Sequence, residues 1–61
     1  MKKLIRDKRT GDYYTEDMKY HIEKGTIGWN VNELEYKNLS GQYIYKYSFS
    51  CDTLKEVKES L

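Results

Sequence analysis

Several residue types that small proteins use to hold a fold together are scarce or absent in this chain of 61 residues. It contains no proline, no alanine, one cysteine and one histidine. Cys51 has no second cysteine for an internal disulfide, and one Cys with one His does not complete a tetrahedral Cys/His zinc site. Because so short a chain buries only about 60% of its unfolded surface, it needs close packing or self-association. We therefore expect one small domain, residues 1–61, that forms a homodimer.

Long hydrophobic segments are also missing. A transmembrane helix needs about 20 apolar residues in succession, and no run in this chain approaches that length. Met1-Lys2-Lys3 resembles the charged start of a signal peptide, but no apolar stretch follows it. The sequence thus predicts a cytoplasmic protein without a membrane partner, and an unpaired cysteine is ordinary in that compartment.

Patterns that indicate catalysis or metal binding are equally scarce. The chain has no glycine-rich phosphate loop, and its acidic residues lack the spacing of a metal-binding loop. His21 is a candidate general base and Cys51 a candidate nucleophile, but a surface histidine and a small buried apolar residue explain both more simply. We predict no catalytic residue, no cofactor and no metal site, and hence a protein that is not an enzyme.

The first half of the chain predicts a hairpin followed by a helix. Residues 3–14 form the hairpin, with a turn at Asp7–Gly11 in which Gly11 takes the left-handed position. Residues 15–24 form the helix: Thr15 caps it, acidic residues occupy its first turn and Gly25 ends it. An apolar stripe at intervals of four supports this helix, and its members are Tyr14, Met18 and Ile22.

A second hairpin is indicated by strict alternation. Aromatic residues occupy every second position from 43 to 49, which places Tyr43, Tyr45, Tyr47 and Phe49 on one face of a strand. A two-residue turn at Ser40-Gly41 would pair this strand with the preceding one. The predicted partners are Glu35 with Lys46, Tyr36 with Tyr45 and Leu34 with Tyr47. The hydrophobic positions change from odd numbers (Trp29, Val31) to even numbers (Leu34) near Asn32-Glu33, which predicts a β-bulge there.

Residues 52–61 predict a terminal helix. Thr53 and Glu56 fit a capping box, with Asp52 as an alternative cap. Leu54, Val57 and Leu61 recur on one face of this helix. The expected fold class is therefore α+β, a small antiparallel sheet of two hairpins with two short helices in the order ββαββα.

The abundance of tyrosine favours a small protein-binding module, such as a stoichiometric inhibitor, adaptor or regulator of another protein. Seven tyrosines and one tryptophan exceed what a small core easily satisfies, because buried hydroxyl groups need hydrogen-bond partners. Tyr and Trp dominate the energetics of protein interfaces. We predict partner-binding roles for Tyr13, Tyr20, Trp29 and Tyr36. In size and composition the chain resembles the small inhibitors that phages encode.

A nucleic-acid-binding regulator is the alternative. Residues 1–9 hold five basic side chains against Asp7, whereas the other 52 residues carry six positive and nine negative side chains, a net of −3. The predicted contacts to phosphate are Lys3, Arg6, Lys8 and Arg9, with exposed tyrosines stacking on bases. The net charge of the whole chain is only +1, and because nucleic-acid binders are usually basic, we favour protein binding.

Residues 9–18, followed by a predicted helix and Gly25, loosely resemble the hairpin-plus-helix start of polyhydroxyalkanoate-synthesis repressor DNA-binding domains. The resemblance covers less than half of the chain. It implies a DNA-binding role for that segment and carries no residue role across.

Overall fold

The computed structural model describes residues 3–61. Met1 and Lys2 lie outside the described residues. They include part of the charged start of the chain and one of its five N-terminal basic side chains, Lys2. The elements in chain order are β1 (Leu4–Arg6), β2 (Tyr13–Thr15), β3 (Tyr20–Lys24), β4 (Trp29–Lys37), β5 (Tyr43–Cys51) and α1 (Leu54–Ser60).

These elements form one antiparallel meander. The strand order in the sheet is β1-β2-β3-β4-β5, so that each strand pairs with its neighbour in sequence. The predicted α+β class with the order ββαββα is wrong: over residues 3–61 the protein is mainly β, with five strands and a single short C-terminal helix.

The first predicted hairpin is present. Ile5 of β1 pairs with Tyr14 of β2, and Leu4 pairs with Thr15. The turn between them is closed by the Gly11 N–H, which donates to the Asp7 carbonyl at 2.7 Å. Gly11 has φ +80°, the left-handed conformation that its position was predicted to need.

The helix predicted over residues 15–24 is wrong, because the polar side chains at its start form a turn instead. The Thr15 hydroxyl donates to Asp17 at 2.7 Å and accepts from the Tyr20 N–H at 3.2 Å. Met18 then takes φ 63°, which no right-handed helix allows. Ser, Thr and Asp compete with helices by bonding nearby backbone groups in this way. The chain reverses at this turn and continues as β3.

A tight turn over residues 25–28 joins β3 to β4. The Gly25 N–H donates to the Gly28 carbonyl at 2.9 Å, and Gly28 has φ +90°. A Cβ atom at Gly28 would lie 2.4 Å from the Cys51 carbonyl oxygen. Glycine is therefore required here both by backbone conformation and by the close approach of the end of β5. Gly25, predicted as a helix stop, begins this turn.

The second predicted hairpin is present, but its register is wrong. Glu33 pairs with Lys46, Leu34 with Tyr45 and Tyr36 with Ile44. The cause is the loop, which contains three residues between Asn38 and Gln42 rather than a two-residue turn. Its backbone is closed by the Asn38 N–H to the Gln42 carbonyl at 2.9 Å, while the Asn38 side chain accepts from two loop amides.

Two irregularities in the β4–β5 ladder add to this shift. One lies between Val31 and Asn32, next to the predicted bulge at Asn32-Glu33, and the other between Leu34 and Tyr36. At the first, Val31 pairs with Phe49 and Asn32 with Tyr47, so that Ser48 has no partner on β4. A single extra residue reverses the side-chain alternation. The prediction that Phe49 shares a face with the tyrosines of β5 is therefore wrong.

The core lies between the sheet and α1, on what we call the helix face. Its fully buried apolar residues are Ile22, Val31 and Val57. The Thr53 Oγ1 caps α1 by accepting from the Glu56 N–H at 3.2 Å, as the capping-box pattern predicted. Partly buried side chains complete the core, namely Leu4, Tyr13, Tyr20, Trp29, Phe49, Cys51, Leu54 and Leu61. The opposite side of the sheet, which we call the open face, carries Tyr14, His21, Asn32, Tyr45 and Tyr47.

Candidate functional site

The outer edge of β5 is the longest unpaired strand edge in the described part of the chain. β5 has nine residues and pairs only with β4, so within residues 3–61 the backbone groups along its other side have no strand partner. The opposite edge of the sheet, β1, has three residues and includes Arg6. Natural proteins shorten or charge an edge strand to prevent association. β1 is short and charged, whereas β5 is three times as long and carries only Lys46 and the irregularity at Ser48.

The composition of β5 makes its edge competent for pairing. Its sequence, Tyr43 to Cys51, contains four aromatic residues, no glycine and a single charge on Lys46. Aromatic residues favour strands, and low charge leaves little to repel a second strand. At about 3.4 Å per residue the edge is about 30 Å long.

Exposed aromatic side chains surround this edge. Tyr47 is 62% exposed and Tyr43 is 40% exposed, although both belong to a strand. The hydroxyl of Tyr47 bonds to that of Ser50 at 2.8 Å, and Ser50 donates to Asn30 at 2.9 Å. Lys37 lies over the Tyr43 ring at 5.3 Å from its centroid. These contacts hold the rings in place while leaving much of their surface in water.

The structure divides the four tyrosine and tryptophan residues predicted to bind a partner. Tyr13 and Trp29 meet edge to face, with centroids 5.7 Å apart, and both pack against the core together with Tyr20. Of the four, Tyr36 alone is exposed, by 52%, near the end of the β4–β5 hairpin. The four residues therefore do not form one surface.

The four basic residues of the alternative hypothesis lie close together in sequence and all reach solvent. Lys3, Arg6, Lys8 and Arg9 are exposed, and the Arg9 side chain is almost fully so. The Arg9 Nε lies 3.9 Å from Asp7, the acidic residue of the same turn. Lys8 and Arg9 lie in the turn of the β1–β2 hairpin, whereas Lys3 lies at the other end of β1, near Glu16 and Asp17.

A polar cluster lies on the open face around His21. Its Nε2 lies 2.9 Å from the Asp12 Oδ2, and its Nδ1 lies 3.4 Å from the Asn32 Nδ2. The imidazole stacks on Tyr14 with centroids 4.9 Å apart and contacts the Tyr45 ring at 5.5 Å. Donor atoms of Asp12, His21 and Glu23 lie within 4.8 Å of one another. The predicted surface histidine is therefore a partly buried residue with a fixed orientation.

Burial of the two aromatic rings beside His21 perturbs their hydroxyl groups. Desolvation raises the pKa of Tyr14 above its usual value, and the negative charges of Asp7 and Asp12 add to that effect. Desolvation likewise raises the pKa of Tyr45, whose hydroxyl donates to the Met18 carbonyl at 2.8 Å. Both phenols stay neutral at physiological pH, so Tyr45 remains a hydrogen-bond donor.

Cys51, the other residue considered for catalysis, is a partly buried free thiol at the end of β5. Its sulfur lies 4.0 Å from the Ser60 hydroxyl, and the residue packs against the core. His21 is on the open face, whereas Cys51 packs on the helix face. The structure does not bring these two residues together as a nucleophile and its base.

No helix among residues 3–61 has both the length and the apolar character needed to cross a membrane.

Comparisons with known proteins assign no family to the chain. No family model matches it, and neither the curated proteins nor the solved structures include a significant match. The resemblance of residues 9–18 to repressor domains required a helix after the hairpin, and the structure has the turn and β3 there instead.

Sequence reasoning missed the two main features of the site for the same reason. With residues 15–24 interpreted as a helix, His21 and Glu23 pointed in different directions, so their proximity to Asp12 was hidden. With two helices covering the sheet, β5 was not recognised as an open edge. A strand was indicated by alternation: Tyr20 and Ile22 are hydrophobic, whereas His21 and Glu23 between and after them are polar.

Proposed function

We propose that this chain is a small non-enzymatic protein-binding module, of the kind that inhibits or regulates another protein, and that it is built as a homodimer joined along β5. The observation that carries the proposal is the long unpaired edge of β5, nine residues with one charge. An extended segment that adds to such an edge gains main-chain hydrogen bonds, while neighbouring side chains give specificity.

A second copy of this chain fits the edge well. Two antiparallel β5 strands that overlap over their full length have their two-fold axis at Tyr47, the central residue of Tyr43–Cys51. That arrangement places Lys46 opposite Ser48 of the second copy rather than opposite its own equivalent, so like charges do not meet. The net charge of +1 adds little repulsion between copies.

The small size of the buried core also supports association. Among residues 3–61, three apolar side chains are fully buried. A dimer interface would supplement this small core.

Sedimentation velocity at micromolar concentration tests the homodimer. We expect a species of twice 7.4 kDa for the wild type, and a monomer for Tyr47→Lys, because two lysines would meet at the two-fold axis. Tyr36→Lys is the matched control: it has similar exposure but lies on the inner strand β4, and it should stay dimeric. A wild-type monomer, or equal dissociation of both variants, contradicts the proposal.

The regulated protein, in this proposal, contacts the end of the β4–β5 hairpin. Tyr36 and Leu39 are exposed there and lie outside β5. A photo-reactive amino acid at position 36 should cross-link one cellular protein stoichiometrically, whereas the same group at the exposed turn residue Ile27 should not. Equal cross-linking from the two positions contradicts this contact. Localisation in the cytoplasm belongs to the same proposal, since Cys51 is a free thiol.

Nucleic-acid binding is kept as a second candidate because Lys3, Arg6, Lys8 and Arg9 are all exposed, along β1 and the turn that follows it. A binder that uses them should be retained on heparin, with retention lost when Arg6, Lys8 and Arg9 are replaced by Glu. A protein-binding module should elute early in both forms. Late elution of the wild type alone would favour the second candidate.

A further inference from the structure

Three potential metal ligands meet on the open face, away from the edge of β5. His21 and Glu23 are two residues apart on β3, so their side chains project to the same side. Asp12 precedes β2, and continuing the pairing of Tyr13 with Ile22 places it opposite Glu23. One donor atom from each of the three side chains lies within 4.8 Å of the others.

The imidazole of His21 is held with Nε2 directed at the carboxylates. Stacking on Tyr14 and contact with Tyr45 fix the plane of the ring, and Asn32 lies next to Nδ1. Histidines that bind metals are typically oriented by a partner on the second ring nitrogen. If the Asn32 amide turns over, its oxygen accepts from Nδ1–H, so Asn32 serves this role in either state.

The charges of the cluster are unbalanced without a cation. Asp12 and Glu23 are half-buried carboxylates with donor atoms within 4.8 Å of each other. Asp12 is paired with His21. Within the described part of the chain, the side chain of Glu23 makes no hydrogen bond or ion pair, although its backbone pairs with that of Asn30. Two carboxylates in such proximity repel each other, and a divalent cation between them would cancel that repulsion.

We propose that Asp12, His21 and Glu23 bind one divalent transition-metal ion of the zinc class. The imidazole nitrogen selects for such ions over Ca²⁺ and Mg²⁺, which prefer shells made of oxygen alone. The ion takes the place of the proton on Nε2: a neutral imidazole then carries its one proton on Nδ1, and an imidazolium releases one proton to solvent and keeps the other on Nδ1. The charge of the ion balances the two carboxylates, so the occupied site is neutral.

Binding of the ion requires only a small movement of the ligand side chains. Ligand bonds of about 2.0–2.1 Å place tetrahedral donors about 3.3 Å apart, and Nε2 and the Asp12 oxygen already lie 2.9 Å apart. Rotation of the Glu23 side chain brings in the third donor. Three protein ligands leave one position for water.

Calorimetric titration of Zn²⁺ into the Cys51→Ser variant tests the site without competition from the thiol. We expect one Zn²⁺ per chain and a higher melting temperature with the metal. Glu23→Gln, Asp12→Asn and His21→Gln should each weaken binding by roughly tenfold or more. Glu33→Gln and Glu59→Gln, which alter carboxylates elsewhere on the surface, should leave it unchanged.

Glu23→Gln is the most informative variant, because Glu23 makes no side-chain hydrogen bond within residues 3–61 whose loss would unfold the protein. Circular dichroism checks its fold. Absence of heat and of a thermal shift at about 1 mM Zn²⁺, equal binding by the Glu23→Gln variant, or equal binding of Mg²⁺ would overturn the proposal. Half a Zn²⁺ per chain would also overturn it, since the ion would then bridge two copies.

Discussion

Replacing Gly28 by alanine should damage the fold far more than the same replacement at Gly11. Both glycines have positive φ, +90° and +80°, so alanine at either position costs about 1–2 kcal/mol in backbone strain. At Gly11 the added Cβ meets nothing within 4 Å. At Gly28 it would lie 2.4 Å from the Cys51 carbonyl oxygen and 3.0 Å from the Asp52 Cα, which are backbone atoms and cannot move aside as a side chain can.

The clash adds about 1–3 kcal/mol, which brings the total for Gly28→Ala to roughly 2–5 kcal/mol. A chain of this size has only about 3–5 kcal/mol of stability from its core. Urea denaturation followed by the fluorescence of Trp29 measures both variants. We expect Gly11→Ala to fold with a lowered midpoint and Gly28→Ala to be largely unfolded in buffer. Equal midpoints would refute the close approach between the β3–β4 turn and the end of β5.

Three further predictions concern the helix, the core and the open face. Thr53→Ala removes the N-cap of α1 and should cost about 1 kcal/mol in a urea melt, whereas Thr26→Ala, an exposed turn residue, should cost almost nothing; equal effects would contradict the cap. Val57→Ala empties one of the fully buried apolar positions and should cost about 2 kcal/mol by thermal denaturation; a neutral result would place α1 elsewhere. Tyr14 and Tyr45 have raised pKa values when folded, so the stability linked to their neutral forms is complete below the unfolded pKa of about 10. This stability is lost as pH rises through the pKa values of the folded protein. Tyr45→Phe should therefore make the melting temperature fall less steeply above about pH 10; an unchanged pH profile would contradict this prediction.

Local signals in the sequence predicted the parts of the fold that local chemistry determines. The Asp7–Gly11 turn and the Thr53 cap are each specified by residues within one turn of chain, and both are confirmed. The alternation from Gln42 to Ser50 predicted β5 correctly as a strand. These features depend on side chains that bond or pack with near neighbours, so they can be inferred without knowledge of the rest of the molecule.

The errors arose where two local interpretations were equally consistent with the residues. Thr15 and Asp17 suit both a helix cap and a tight turn, and only the pairing of β3 with β4 decides between them. The register of β4 against β5 depended on one residue of loop length and on two bulges. The proximity of Asp12 to His21 depends on the long-range pairing of β2 with β3, which is why the sequence did not indicate this cluster.

The central claim is that two copies of this chain pair along β5 with Tyr47 at the two-fold axis. It is tested most directly by sedimentation of Tyr47→Lys and Tyr47→Glu, first alone and then mixed in equal amounts. Each variant alone should be a monomer, because like charges meet, and the mixture should form a dimer through the opposite charges. A mixture that remains monomeric while the wild type dimerises, or variants that dimerise alone, would contradict the pairing.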